Sequence, residues 1–216
     1  APENYLLINT TNHPEQSIKK DQIFIKANRE IFPFSRELGM ISSALWTDFD
    51  NDGWTDLICV GEWNTIQFLK NNKGSFTNVS LKSGISNATG WWNSISSADF
   101  DNDGDMDYIV GNFGQNNRFG VSKTTPMTMY AKDYDNNGRI DPIVSYFNNG
   151  EAYPVHTRSS LIRQINATRS RFKTFSSYAK LTMEEAFLRE ELEDALTLLC
   201  EELSTVYIEN KGGGIF

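Results

Sequence analysis

A nine-residue acidic stretch that occurs three times is the feature that most constrains the fold of this chain. The copies are DFDNDGWTD at Asp48–Asp56, DFDNDGDMD at Asp99–Asp107 and DYDNNGRID at Asp133–Asp141. They hold four, five and three of the 28 acidic residues in a chain of 216 residues. Carboxylates packed this closely repel one another unless a positive charge lies between them. The stretches therefore predict three cation-binding loops.

The spacing within each stretch favours Ca²⁺ over Mg²⁺. Oxygen-bearing side chains stand at positions 1, 3, 5 and 9, and position 6 is glycine, which permits a sharp reversal of the chain. Calcium accepts six to eight oxygens from carboxylates, amides and backbone carbonyls, whereas magnesium demands a small octahedron and keeps its waters. Position 7 varies freely (Trp54, Asp105 and Arg139), which indicates that it contributes only its backbone carbonyl.

The residues after each loop predict strands and argue against an EF-hand. An EF-hand loop ends with a bidentate glutamate at position 12, but Cys59, Val110 and Val144 occupy that position here. The flanks LICV, YIVG and PIVSY are rich in β-branched and aromatic strand formers. A single acidic Asp-Gly turn is also common without an ion. Three copies with one spacing favour the cation site.

Repetition extends beyond the loops. The segments IFPFSRELGM and FTNVSLKSGI precede the first and second loops with the same Ser-to-Gly spacing, and FLKNNKGSF at Phe68–Phe76 matches YIENKGGGIF at Tyr207–Phe216. The repeat is about 50 residues long and consists of short strands and tight turns, which is the period of a propeller blade or a similar array.

The pattern DxDxDGxxD between short strands resembles the FG-GAP or VCBS repeats of integrin-like β-propellers, which occur in bacterial exported and cell-surface proteins. The resemblance covers residues 40–150 and 206–216. It implies a mainly β fold of propeller-type blades with up to three Ca²⁺ ions. The side chains that it implies as ligands are Asp48, Asp50, Asp52 and Asp56; Asp99, Asp101, Asp103 and Asp107; and Asp133, Asp135, Asn137 and Asp141.

A helical insertion is predicted between the repeats. Residues 1–157 are assigned to the β repeats, 158–204 to the insertion and 205–216 to the start of a further repeat. Thr182 and Glu185 have the spacing of a capping box. The sequence predicts a continuous or once-broken helix over Glu184–Leu203, with four leucines at spacings of three and four facing the protein: Leu188, Leu192, Leu196 and Leu199.

The insertion has a basic first half and an acidic second half, which is consistent with a hairpin that caps one blade or with a lid that binds a partner or a glycan. A propeller needs about four to eight blades. The chain supplies two complete repeats and pieces of others, so we expect it to be a fragment of a longer protein.

Composition narrows the function classes. A net charge of −8 argues against nucleic acid and anionic membranes as partners. The sequence contains no run of 18 apolar residues, so no membrane-spanning helix is predicted. Neither His13 nor His156 lies in a recognisable catalytic motif, so no enzymatic activity is expected. Cys59 and Cys200 can pair or remain buried thiols.

The resemblance implies a calcium-binding module of an exported protein, periplasmic, outer-membrane-associated or extracellular, that binds a protein or glycan in adhesion. The alternative is a segment of a calcium-dependent polysaccharide lyase or another secreted carbohydrate-active enzyme. Trp91 and Trp92 are candidates for stacking on sugar rings, although buried packing positions are the simpler interpretation.

Overall fold

The computed structural model describes residues 3–9, 24–34, 36–85 and 87–216, and His13 lies outside these ranges. The described chain is mainly β, as predicted. Its strands are β1 Leu7–Asn9, β2 Phe24–Lys26, β3 Met40–Thr47, β4 Asp56–Asn64, β5 Gln67–Asn72, β6 Ser75–Asn78, β7 Gly90–Ala98, β8 Asp107–Asn112, β9 Met127–Lys132, β10 Asp141–Asn148, β11 Glu151–Pro154, β12 Leu196–Cys200 and β13 Val206–Ile208. The helices are α1 Arg158–Gln164, α2 Thr168–Arg171, α3 Phe175–Tyr178, α4 Met183–Ala186 and α5 Arg189–Leu192, and a 3₁₀ turn covers Ser80–Lys82.

The chain forms two compact units. Unit 1 comprises residues 1–87, 91–113 and 204–216, and unit 2 comprises residues 88–90 and 114–203. In unit 1 the strands β13-β8-β7-β4-β5-β6 are neighbours in that order, β3 pairs with β4, and β1 and β2 form a separate pair. In unit 2 the order is β11-β10-β9-β12.

The last segment of the chain differs from its prediction. Residues 205–216 were expected to start a further repeat, but β13 pairs antiparallel with β8, with Val206 opposite Val110. The segment therefore completes the sheet of the second repeat. The sequence match to FLKNNKGSF could have predicted this pairing, because FLKNNKGSF begins in β5 and β5 pairs antiparallel with β4.

Unit 1 is held together by apolar side chains from both repeats. One buried cluster includes Phe49, Ile58, Phe68, Tyr108 and Ile208. The β4 run LICV is buried on both faces, which explains why it is continuously apolar instead of alternating. A second cluster lies around Leu57, Cys59 and Leu69.

Unit 2 buries one face of its helices against its sheet. Ile143 of β10 packs in a cluster with Leu161 of α1, Phe172, and Met183 of α4. Phe172 also makes edge-to-face contacts with Tyr178 and with Phe187, whose ring centroids lie 4.9 and 6.2 Å away. The helices are only four to seven residues long, so packing of this kind, not helix propensity, stabilises them.

The predicted helix over Glu184–Leu203 is wrong. The capping box forms as expected, with Glu185 N–H donating to Thr182 Oγ1, but α4 ends at Ala186, α5 ends at Leu192, and the next element is strand β12. Leu188, Leu196 and Leu199 are 59, 55 and 39% exposed, and among the four leucines only Leu192 packs against the core of unit 2.

The physical reason for this error is pairing with a distant strand. β12 aligns antiparallel with β9, so its backbone groups are paired along Leu196–Cys200. Helical spacing of leucines cannot reveal such a partner, since tertiary pairing overrides a weak local preference. The two cysteines remain free and buried, so the alternative of a disulfide is not realised.

Candidate metal centre

Each acidic stretch connects two antiparallel strands, as the flanking residues predicted. Loop 1 (residues 48–56) leads from β3 into β4, loop 2 (99–107) from β7 into β8, and loop 3 (133–141) from β9 into β10. Position 9 is the first residue of the second strand in every case. The most buried aspartate of each loop is therefore fixed by a strand.

Two left-handed residues shape each loop. Position 6 has φ of 87°, 97° and 84° in Gly53, Gly104 and Gly138, and position 4 has φ of 57°, 62° and 57° in Asn51, Asn102 and Asn136. Asparagine tolerates this region better than most side chains. Sequence reasoning missed the role of position 4, although asparagine recurs there in all three copies.

The carboxylate at position 1 closes the turn. Its oxygen accepts a hydrogen bond from the glycine N–H at position 6, at 2.9 Å for Asp48, 3.1 Å for Asp99 and 2.8 Å for Asp133. This bond holds the loop in one conformation and orients the carboxylate toward the loop interior.

Three carboxylates converge in every loop. One oxygen each from positions 1, 3 and 9 lies within 4.8 Å of the other two. The three groups are Asp48, Asp50 and Asp56; Asp99, Asp101 and Asp107; and Asp133, Asp135 and Asp141. Their oxygens are the hard donors that Ca²⁺ prefers.

The other predicted ligands lie outside these groups. Position 5 accepts the N–H of position 7 at 2.9 Å in each loop, from Trp54 to Asp52, from Asp105 to Asp103 and from Arg139 to Asn137. Position 5 thus braces the turn. Ligation by the backbone carbonyls at position 7 stays a prediction.

The position-9 aspartates are almost fully buried: Asp56, Asp107 and Asp141 are 0, 0 and 3% exposed. Burial raises the pKa of Asp56 to about 6, and the neighbouring carboxylates Asp50 and Asp52 add to this effect. Burial also raises the pKa of Asp141. A buried carboxylate whose charged form is disfavoured is stabilised when a cation binds beside it.

Asp107 differs because hydrogen bonds outweigh its burial. Burial alone would raise its pKa, but the N–H groups of Asn210 and Phe100 and the hydroxyl of Tyr207 donate to it and hold the pKa below its ordinary value. The donor–acceptor distances are 2.9, 3.1 and 2.9 Å. Loop 2 therefore presents an ionised carboxylate.

Two oxygens at position 3 have no hydrogen-bond partner among the residues that the structure describes. Asp50 Oδ1 and Asp135 Oδ1 are buried and accept no hydrogen bond. An unsatisfied buried oxygen is costly, so such atoms commonly mark a missing ion or water. Both belong to the converging groups of loops 1 and 3. The residues present therefore fit a hard cation.

A lysine already lies at loop 1. Lys70 of β5 donates its ammonium to Asp50 and to Asp52 Oδ2, the latter at 2.6 Å. These hydrogen bonds raise the pKa of Lys70 and lower the pKa of Asp52. The sequence analysis did not identify Lys70 as part of the site. When FLKNNKGSF is aligned with YIENKGGGIF, Glu209 occupies the position of Lys70, so the second repeat has an acidic residue where the first has a basic one.

An asparagine near the end of the third strand supports position 9 in both repeats of unit 1: Asn71 lies within β5, and Asn210 follows β13. Asn71 N–H donates to Asp56 Oδ1 at 2.7 Å, and Asn210 N–H donates to Asp107 Oδ1 at 2.9 Å. These residues occupy equal positions in FLKNNKGSF and YIENKGGGIF. The sequence match therefore corresponds to one structural role.

The remaining candidates have packing roles. Trp92 is 3% exposed and its Nε1–H donates to Asn64 O at 2.9 Å, so the interpretation as a buried residue is confirmed. Trp91 is partly buried between Trp63 and Phe113. His156 Nε2 accepts from Val144 N–H at 3.2 Å, and burial lowers its pKa.

Comparison with known proteins gives one finding, on the segment that contains loops 1 and 2. Residues 48–110 match the family model of the FG-GAP-like repeat. This supports the resemblance to FG-GAP repeats, which are a non-catalytic repeat family. No curated protein and no solved structure gives a significant match. None of the helices in the described ranges has the length and apolar character of a membrane span.

Proposed function

We propose that this protein is a calcium-binding repeat module that holds one Ca²⁺ in each of its three loops. The observation that carries the proposal is the convergence of carboxylate oxygens from positions 1, 3 and 9 to within 4.8 Å in all three loops. The unpartnered oxygens of Asp50 and Asp135 support it, because a cation would satisfy both.

The ions act structurally. Each loop crowds three carboxylates around a turn that contains two left-handed residues. Bound Ca²⁺ offsets two of these three negative charges and fixes the loop to the strand that begins at position 9. The ligand set proposed for each ion is the converging triad, with the position-5 side chain and the position-7 carbonyl completing the oxygen shell.

The wider role that we propose is recognition at the surface of an exported bacterial protein, by binding a protein or glycan through propeller-type blades. The match of residues 48–110 to a non-catalytic repeat family supports binding over catalysis. Ca²⁺ in this role sets the shape of the blades and takes no part in a reaction.

Calorimetric titration of the chelator-treated protein with Ca²⁺ tests the proposal. We expect three ions per chain, and the loss of one in each of the variants Asp50→Asn, Asp101→Asn and Asp135→Asn, which remove one carboxylate from a triad. Asp194→Asn is the matched control, because the Asp194 side chain is 88% exposed and lies outside every loop. Absence of binding at millimolar Ca²⁺, or equal losses in the control, would overturn the proposal.

A further inference from the structure

A cavity in unit 2 combines aromatic walls with positive charge. Its volume is about 340 Å³, within the range of about 300–1,000 Å³ that is typical of small-molecule sites. The lining side chains that matter here are Arg118, Tyr146, Tyr153, Arg158, Phe175 and Tyr178. Among the described residues no aspartate or glutamate lines it, although the whole chain carries a net charge of −8.

The aromatic wall is held rigidly. Tyr146 of β10 and Tyr153 of β11 are directly opposite each other in the antiparallel pair, and their ring centroids lie 6.5 Å apart. Tyr178 is buried and its hydroxyl donates to His156 O at 2.7 Å. Strand pairing places Tyr146 and Tyr153 side by side, and the hydrogen bond holds Tyr178, so these residues form one aromatic wall of the cavity.

Two guanidinium groups border the rings. The Arg118 guanidinium lies 5.5 Å from the Tyr146 centroid and 5.2 Å from the Phe119 centroid, and that of Arg158 lies 5.0 Å from the Phe175 centroid. A guanidinium stacked on a ring keeps its in-plane N–H groups directed outward, where they can bind a planar anion with two hydrogen bonds.

The two arginines differ in how firmly they are fixed. Arg158 donates from Nε to Phe172 O at 2.6 Å and from Nη2 to Lys173 O at 3.0 Å, so it also supports the fold. Arg118 is exposed. Within the described ranges neither arginine forms an ion pair with a carboxylate. Arg118 is therefore the arginine that can give a ligand two parallel hydrogen bonds, whereas Arg158, with Nε and Nη2 already bonded to the backbone, contributes positive charge.

We propose that this cavity binds a carboxylate-bearing sugar unit, such as a uronic acid residue of a saccharide. The partly exposed rings of Tyr146 and Tyr153 provide apolar surface for the C–H groups of the sugar, and the Arg118 guanidinium supplies the bidentate partner for its carboxylate. A simple anion would use the arginines but not the rings. A uronic acid ligand would specify the surface-recognition role proposed above, and the assignment of this ligand rests on that role. It does not depend on the calcium loops.

The test is titration of the calcium-loaded chain, without excess free Ca²⁺, with a glucuronate-containing disaccharide and with the counterpart that carries glucose instead. We expect the acidic disaccharide to bind at least about tenfold more tightly, since hydrogen bonds to a charged group contribute more than neutral ones. Arg118→Gln should remove about tenfold of the affinity. Arg163→Gln, which removes the same charge from an exposed position of α1 outside the lining, should not.

Equal binding of the two disaccharides, no binding at millimolar concentration, or an effect of Arg163→Gln equal to that of Arg118→Gln would each overturn the inference. Inorganic phosphate that binds as tightly as the acidic disaccharide and displaces it would also overturn it, because the site would then be a simple anion site. The calcium content of the same samples is measured in parallel. Normal calcium binding without sugar binding would refute this inference alone, and sugar binding without calcium would refute only the metal proposal.

Discussion

A calcium ion bound in loop 1 as proposed above would compete with Lys70 for the same carboxylates. The ammonium of Lys70 donates to both Asp50 and Asp52, and the side chains of Lys70 and Asp50 are only 27% and 11% exposed. An ion that enters the triad must displace this ammonium or tolerate its repulsion. We therefore expect Lys70→Met, which keeps the apolar stem, to tighten calcium binding at loop 1.

The size of the effect follows from the burial of the pair. Exposed ion pairs contribute about 0–1 kcal/mol, and hydrogen bonds to charged groups contribute about 1.5–3 kcal/mol. The partly buried contact of Lys70 lies between these limits, so we take about 1–2 kcal/mol for the competition. That corresponds to binding that is about 5- to 30-fold tighter.

The same substitution should weaken the calcium-free protein, since Asp50 and Asp52 then lose their partner. In chelator the melting temperature should fall by about 2–4 °C per kcal/mol for a chain of this size, and saturating Ca²⁺ should restore it. The assay is calorimetric titration in a background with Asp101→Asn and Asp135→Asn, which isolates loop 1.

Lys73→Met is the matched control. Lys73 lies in the turn between β5 and β6, near loop 1, and it contributes only a minor charge effect on Asp52 without a hydrogen bond to it. An affinity gain in Lys70→Met no larger than that in Lys73→Met would refute direct competition and leave only a general charge effect.

Three further expectations concern loop 3, the thiols and His156. Loop 3 should lose its ion first in a chelator titration, and Asn137→Asp should raise its calcium affinity. The reason is that affinity rises with ligand charge, and loop 3 has three carboxylates at positions 1, 3, 5 and 9 where the other loops have four. If loop 3 bound Ca²⁺ most tightly of the three, this order would be contradicted. Burial raises the pKa of Cys59 to about 12 and of Cys200 to about 11, so both should resist alkylation at pH 8 until the chain is unfolded, and rapid labelling of the native protein would contradict their burial. Burial lowers the pKa of His156 below its ordinary 6.5. The stability that the neutral imidazole contributes is therefore present above about pH 6.5 and is lost as the pH falls through the lower pKa of the folded state. The free energy of unfolding of His156→Gln, measured by chemical denaturation, should depend less on pH between pH 7 and 5 than that of the original protein, and an unchanged slope would contradict this.

The loops were predictable because their determinants are local. Spacing of side chains, a glycine at position 6 and a β-branched flank all lie within a dozen residues, and each maps to a turn followed by a strand. The convergence of positions 1, 3 and 9 also follows from a turn of this length. What the local pattern did not show is the bracing role of position 5, because Asp52 and Trp54 N–H form a bond that only the backbone path reveals.

Features that depend on distant partners were not predictable in the same way. Lys70 reaches loop 1 from β5, so its role depends on strand pairing. The leucines of Leu196–Cys200 have helical spacing, yet pairing with β9 makes the segment a strand. The aromatic cavity of unit 2 combines residues from Arg118 to Leu181, and no short motif connects them.

The second repeat keeps the same structural role although a long segment, residues 114–203 of unit 2, lies between its parts in the sequence. In the first repeat, position 9 and its supporting asparagine, Asp56 and Asn71, are 15 residues apart; in the second, Asp107 and Asn210 are 103 residues apart. Closing a flexible loop that is longer by this factor costs about 2 kcal/mol more in chain entropy. The intervening residues are not a flexible loop, since residues 114–203 belong to unit 2, which has its own sheet and core. The two ends of residues 114–203 lie next to each other, because Gly114 N–H donates to Leu203 O at 2.8 Å. Residues 114–203, folded and with their ends adjacent, therefore connect β8 to β13 as a short loop would. Strand β13 can then pair with β8 as β5 pairs with β4.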